Sequence, residues 1–116
     1  MFPKHQYVRS KKILELVRTL RCQNCKIDDG TIVAAHTNWG GGKGRSIKAD
    51  DNLVAALCHK CHTLIDQGKL SKAERMDIWE RAHLLTLHQL VLQGLWPKNV
   101  PLSDQYLRIE GKGADF

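Results

Sequence analysis

Two cysteine pairs of identical spacing, Cys22-x-x-Cys25 and Cys58-x-x-Cys61, constrain this 116-residue chain more than any other feature. Each pair can offer two sulfurs from one tight turn, and four thiolates from two such turns suit one tetrahedral zinc ion. The opening stretch Met1 to Tyr7 has no apolar run of the kind a secretory leader carries. A cytoplasmic setting is therefore expected, where thiols stay reduced and disulfides are disfavoured. An iron–sulfur cluster and a redox pair are the competing uses of the same spacing. A structural zinc would also staple a core that aromatic residues, 6% of the chain, supply only modestly.

The length gives room for one domain, 1–116, and a content of 42% hydrophobic and 26% charged residues is ordinary for a globular chain. No apolar run approaches the roughly 20 residues of a membrane span, so no membrane partner is expected. The net charge is +6, and its distribution is uneven. Residues 1–69 hold 12 Lys+Arg against 6 Asp+Glu, and residues 70–116 hold 6 against 6. Such asymmetry fits a polyanion partner, nucleic acid foremost. A basic face kept for solubility accounts for the same numbers.

Ser10 reads as the N-cap of a helix over Lys11 to Leu20, with Ile13, Leu14, Leu16, Val17 and Leu20 at helical spacing. Asp28-Asp29-Gly30 is a turn signal, and Thr31 to Ala35 is a short β-branched strand ending on His36. A glycine loop, Gly40 to Arg45, follows Trp39. Asp50-Asp51-Asn52 is a second turn, and Leu53 to Leu57 a second strand. The second cysteine pair opens a helix over His59 to Gln67. Ser71-Lys72-Ala73-Glu74 is a capping box for a long helix, a packing brace over about 71–93. Its expected apolar face is Met76, Ile78, Trp79, Ala82, Leu85, Leu87, Leu90 and Val91. The tail, 98–116, reads as partly irregular.

Several side chains between the cysteine pairs carry chemistry. His36, at a strand end beside a flexible loop, can act as a base near neutrality, since imidazole titrates at about 6.5; a satisfied core histidine is the plainer reading. His62 and Asp66 are spaced i, i+4 on one helix face, and imidazole plus carboxylate suits Mg²⁺, Mn²⁺, Zn²⁺ or Ni²⁺. A surface carboxylate is the plainer reading of Asp66, and a turn residue that of Asn52. His59, between the cysteines, is expected to face solvent. Glycines in the loop let a phosphate backbone approach while Lys43, Arg45 and Lys48 supply charge and Trp39 a stacking surface. A nucleotide-binding P-loop is excluded, because the order Gly-x-x-x-x-Gly-Lys-Ser/Thr is absent here.

In the order strand, His36, glycine loop, Asn52, strand, Cys58-His59-Lys60-Cys61-His62, helix, the sequence resembles the HNH endonucleases. Their ββα-metal hairpin (the His-Me finger) has a His ending the first strand, an Asn opening the second and a His starting the helix. The likeness covers residues 20–68 and is nearest to the small nucleases of phages and prophages of the YbcO-like group. Those share the Ala-His strand end and the Cys-His-x-x-x-Asp helix start.

The resemblance implies an α+β fold, a small zinc-stapled ββα-metal domain with flanking helices, and metal-dependent hydrolysis of phosphodiester bonds in DNA. It implies His36 as general base, Asn52 holding the hairpin or orienting His36, and His62 on one catalytic divalent cation. Products would carry 5′-phosphate and 3′-hydroxyl ends. The setting implied is the cytoplasm of a bacterial host, with a recombination or packaging protein as a possible partner. One departure stands out: many HNH enzymes place a metal-binding Asp or His just before the base, where this chain has Ala35. The ion would then be held by fewer protein ligands, or Asp51 or Asn52 would complete its shell, or the site is degenerate. A non-catalytic zinc-containing DNA-binding module is the first rival reading. An adaptor that docks through the helix from Ser71 to Gln93 is the second.

Overall fold

The computed structural model describes residues 9–36, 50–67 and 69–111. The glycine loop and the expected nucleic-acid contacts Trp39, Lys43, Arg45 and Lys48 lie outside the described residues. Helix α1 (Lys11–Arg18) begins where Ser10 Oγ accepts the Ile13 N–H at 3.2 Å, an N-cap bond that only a short polar side chain can make. It buries Ile13 and Val17 completely. It stops at Arg18, short of the expected Leu20, because the N–H groups of Thr19 and Leu20 turn back to Leu16 and Val17 in tighter bonds.

Strands β1 (Val33–His36) and β2 (Val54–Leu57) pair antiparallel, with Val33 opposite Leu57 and His36 opposite Val54. β1 starts two residues later than expected, since Asp29 Oδ1 holds Thr31 in a turn by accepting its N–H at 3.0 Å. Every residue of β2 is buried, whereas β1 is only partly covered. No third strand pairs with β2 among the described residues. Its outer edge is satisfied by other means. Val54 O accepts from His83 Nδ1 at 2.8 Å, Ala56 N donates to Thr86 Oγ1 at 2.9 Å, and Ala56 O accepts from Gln23 N at 2.8 Å. Two helix side chains thus do along that edge what a neighbouring strand would do.

Helix α2 (His59–Gln67) follows β2 directly, so β1, β2 and α2 are consecutive in the chain. Helix α3 (Lys72–Leu92) opens on the expected capping box: Ser71 Oγ accepts from Glu74 N and Glu74 Oε1 from Ser71 N, both at 3.1 Å. It packs between two apolar clusters. Trp79, Ala82 and Leu90 join the one built on the sheet and α1. Leu84 and Leu87 meet Tyr106 in the other. A helix covered on two sides buries a wider stripe than a surface helix. His83, Leu84 and Thr86 are therefore interior, while Leu85, expected inside, is only partly buried. In the tail, after an irregular stretch, α4 (Asp104–Gly111) forms and seats Tyr106 against α3. The whole is a small α+β arrangement. Among the described residues, no helix is long and apolar enough to cross a membrane.

Candidate functional site

The four cysteines converge. Cys22 and Cys25 lie on a turn closed by Cys22 N donating to Ile27 O and Lys26 N donating to Cys22 O, each at 2.9 Å. Lys26 has φ 68°, the left-handed region where glycine is the usual occupant, at a cost of about 1 kcal/mol. Cys58 precedes α2 and Cys61 sits in its first turn, where His62 N donates to Cys58 O at 2.9 Å. All four sulfurs lie within 4.8 Å of one another, and Cys25 Sγ and Cys58 Sγ are 3.6 Å apart. Zinc–sulfur bonds of about 2.3 Å in a tetrahedron imply sulfur separations of about 3.8 Å, so the cage has the dimensions of one such ion.

Donors surround the sulfurs: Cys25 N points to Cys22 Sγ at 3.4 Å and Asn24 Nδ2 to Cys61 Sγ at 3.3 Å. Burial opposes ionisation of Cys22, yet backbone hydrogen bonds at Cys25, Cys58 and Asn24 outweigh it and bring the thiol from 9.0 down to about 7. Burial and the neighbouring thiols push Cys61 up to about 12. Cys25 also moves upward; its bond at Ile27 favours the thiolate, but burial and the sulfurs of Cys22 and Cys58 prevail. Four negative sulfurs this close repel one another, and a cation is what lets all four ionise together.

The candidate catalytic residues are arranged differently. His36 ends β1, is exposed, and brings Nε2 to within 3.0 Å of Asp51 Oδ1. Asp51 itself is buried, 7% exposed, and its other oxygen accepts the Ser10 N–H at 2.7 Å. A carboxylate can only accept here, so the shared proton sits on Nε2, and in a neutral ring Nδ1 is then the nitrogen that carries the lone pair. Asn52 turns the other way: its Nδ2 donates to Pro101 O at 2.9 Å, tying the turn to the C-terminal segment. Its Oδ1 is buried without a hydrogen-bond partner among the described residues. Among the described residues, the side chain in contact with the His36 ring is that of Asp51, next to Asn52 in the chain.

His62 and Asp66 meet on one face of α2, Nε2 to Oδ2 at 3.2 Å, as the i, i+4 spacing requires. Asp66 is exposed and His62 half-buried. Among the described residues, the four cysteines are the one group of three or more His, Cys, Asp or Glu side chains that could hold a metal ion. His62 and Asp66 therefore gather no third such ligand there. Ala35 is buried and His59 exposed.

Two interior features escaped the sequence. The pairing of Asp51 with His36 is one; the sequence offered Asp51 only to complete a metal's shell, whereas the strand register, which sets His36 opposite Val54, brings the turn carboxylate alongside the ring. His83 is the other. It is fully buried and stacks on Trp79 with centroids 4.8 Å apart and planes 8° apart. Its Nδ1 donates to Val54 O, so Nε2 accepts from Ser103 Oγ at 2.7 Å. Burial brings its pKa from 6.5 down to about 4, against the opposing effect of the Val54 carbonyl. The signal was there: His83 follows Trp79 by four residues on the apolar face.

Compared with protein-family models, curated proteins and solved structures, the chain matches none.

Proposed function

We propose that the chain is a metal-dependent HNH-type endonuclease that hydrolyses DNA phosphodiester bonds. Cys22, Cys25, Cys58 and Cys61 hold a structural zinc, and His36 is the general base. His62 and Asp66 hold one catalytic divalent cation; Lys43, Arg45, Lys48 and Trp39 contact the nucleic acid. The observation that carries the reading is an exposed imidazole, at the end of β1, gripped by a buried carboxylate. A histidine needed only for packing has no use for that arrangement. Held by Nε2, His36 can take a proton from water at Nδ1 while the water oxygen attacks phosphorus and the 3′ oxygen leaves. The cation, when bound, supplies positive charge to the phosphate and the leaving oxygen. Each Asp51 oxygen already accepts a hydrogen bond, and in this reading water and phosphate complete that ion's shell.

Plasmid nicking in Mg²⁺, Mn²⁺, Ni²⁺ and EDTA, beside His36→Ala, tests the reading. Metal-dependent cleavage that the variant loses, with zinc content intact, supports it. Equal cleavage by both proteins removes His36 from the chemistry. The absence, among the described residues, of a third ligand beside His62 and Asp66 favours a second reading, a zinc-containing DNA-binding module without catalysis. That reading expects no cleavage by either protein and DNA binding that weakens steeply with salt.

A further inference from the structure

We propose that Asp51 is the positioning residue for His36: it fixes the Nε2–H tautomer, and α1 in turn fixes Asp51. The role of His36 as base rests on the nuclease reading above; the tautomer does not. Asp51 accepts from two donors at once, the Ser10 N–H at 2.7 Å and His36 Nε2–H at 3.0 Å. Ser10 is the N-cap of α1, which is anchored by the wholly buried Ile13 and Val17. Its N–H therefore cannot swing away to oblige another partner. The carboxylate is also buried, so water competes poorly for either oxygen. A rigid helix start thus orients one oxygen, and the other orients the imidazole across 15 residues of sequence. With one hydrogen bond at each oxygen, Asp51 serves here to hold the base.

The chemistry of an amide makes the idea testable. In Asp51→Asn the side-chain oxygen stays with the Ser10 N–H, and the NH₂ group is left facing the ring. Nε2 must then accept, the ring proton moves to Nδ1, and the nitrogen needed for base chemistry is occupied. Long-range ¹H–¹⁵N spectra of the zinc-loaded full chain at about pH 8.5, where imidazole is neutral, read the tautomer directly. The His36 signals are identified by their loss in His36→Ala. The expected wild-type result is a proton on Nε2, and Asp51→Asn moves it to Nδ1. Nicking kcat in that variant falls by about 10²- to 10⁴-fold with KM unchanged. A wild-type ring protonated on Nδ1 overturns the proposal. So does an Asp51→Asn protein that keeps Nε2–H or nicks within about twofold of wild type. Should the wild type not nick at all, the nuclease reading falls while the tautomer still judges the pair. Should Asp51→Asn not fold, the wild-type spectrum decides alone.

Discussion

At the cysteine centre four sulfurs face one another within 4.8 Å, and the surrounding donors point inward at them. At His36 and at His62, by contrast, each imidazole meets one carboxylate among the described residues and keeps about a third of its side chain exposed. The first arrangement uses up its ligands on itself, as a structural metal site does; the second leaves a nitrogen or an oxygen for something outside the protein. His83 sharpens the contrast. It has the same side chain as His36, but both its nitrogens are spent on Val54 and Ser103. Its role is to hold β2 to α3. Exposure and unspent valence, not residue type, separate a structural histidine from a candidate catalytic one.

The largest effect expected is at the closed centre. Removing zinc with a strong chelator, or making Cys58→Ser, should abolish the cooperative thermal transition, because such an ion contributes on the order of 10 kcal/mol of folding energy. Calorimetry beside metal analysis reads this. One zinc per chain with an unchanged melting curve after chelation would break the comparison. Next comes the exposed histidine. His36→Ala should lower nicking by about 10²- to 10⁴-fold while leaving the melting temperature within a few degrees, since the ring lies outside the core.

His83 should announce itself in acid. Its folded pKa of about 4 lies below the ordinary 6.5, so as pH falls the unfolded chain takes up a proton before the folded one does. Stability is therefore complete above about pH 6.5 and falls, by on the order of 3 kcal/mol, on the way to about pH 4. Urea unfolding at a series of pH values measures the slope, and a flat profile over that window would remove His83 from the account. The smallest effect is at Asp66. Its contact with His62 is solvent-exposed, so Asp66→Asn should change folding stability by less than about 0.5 kcal/mol. Metal-dependent nicking should nevertheless weaken. A large loss of stability would make the pair structural and align it with the cysteines.

Much of the fold was legible in the residues because the signals concerned are local. Ser10 and Ser71 cap their helices through bonds three residues away, which any chain with that sequence can form. α2 opens and closes on the residues expected, and the cysteine spacing places two sulfurs on each turn before any tertiary contact exists. The helix in the tail was not legible. α4 has little pattern of its own and forms around Tyr106, which joins Leu84 and Leu87 of α3 in one apolar cluster with Trp96 and Leu102 packed against it.

By itself, then, the sequence determined the metal-binding spacing, the capped helices and the two short strands, all products of hydrogen bonds and periodicities spanning a few residues. Only the tertiary structure decided which partner each polar side chain took. Asp51 reaches His36 across 15 residues, His83 reaches Val54 across 29, and Asn52 reaches Pro101 across 49. Such pairings depend on strand register and on the angle at which α3 crosses the sheet. Both go with burying β2, whose outer edge, with no third strand beside it among the described residues, takes its hydrogen bonds from His83, Thr86 and the Gln23 backbone.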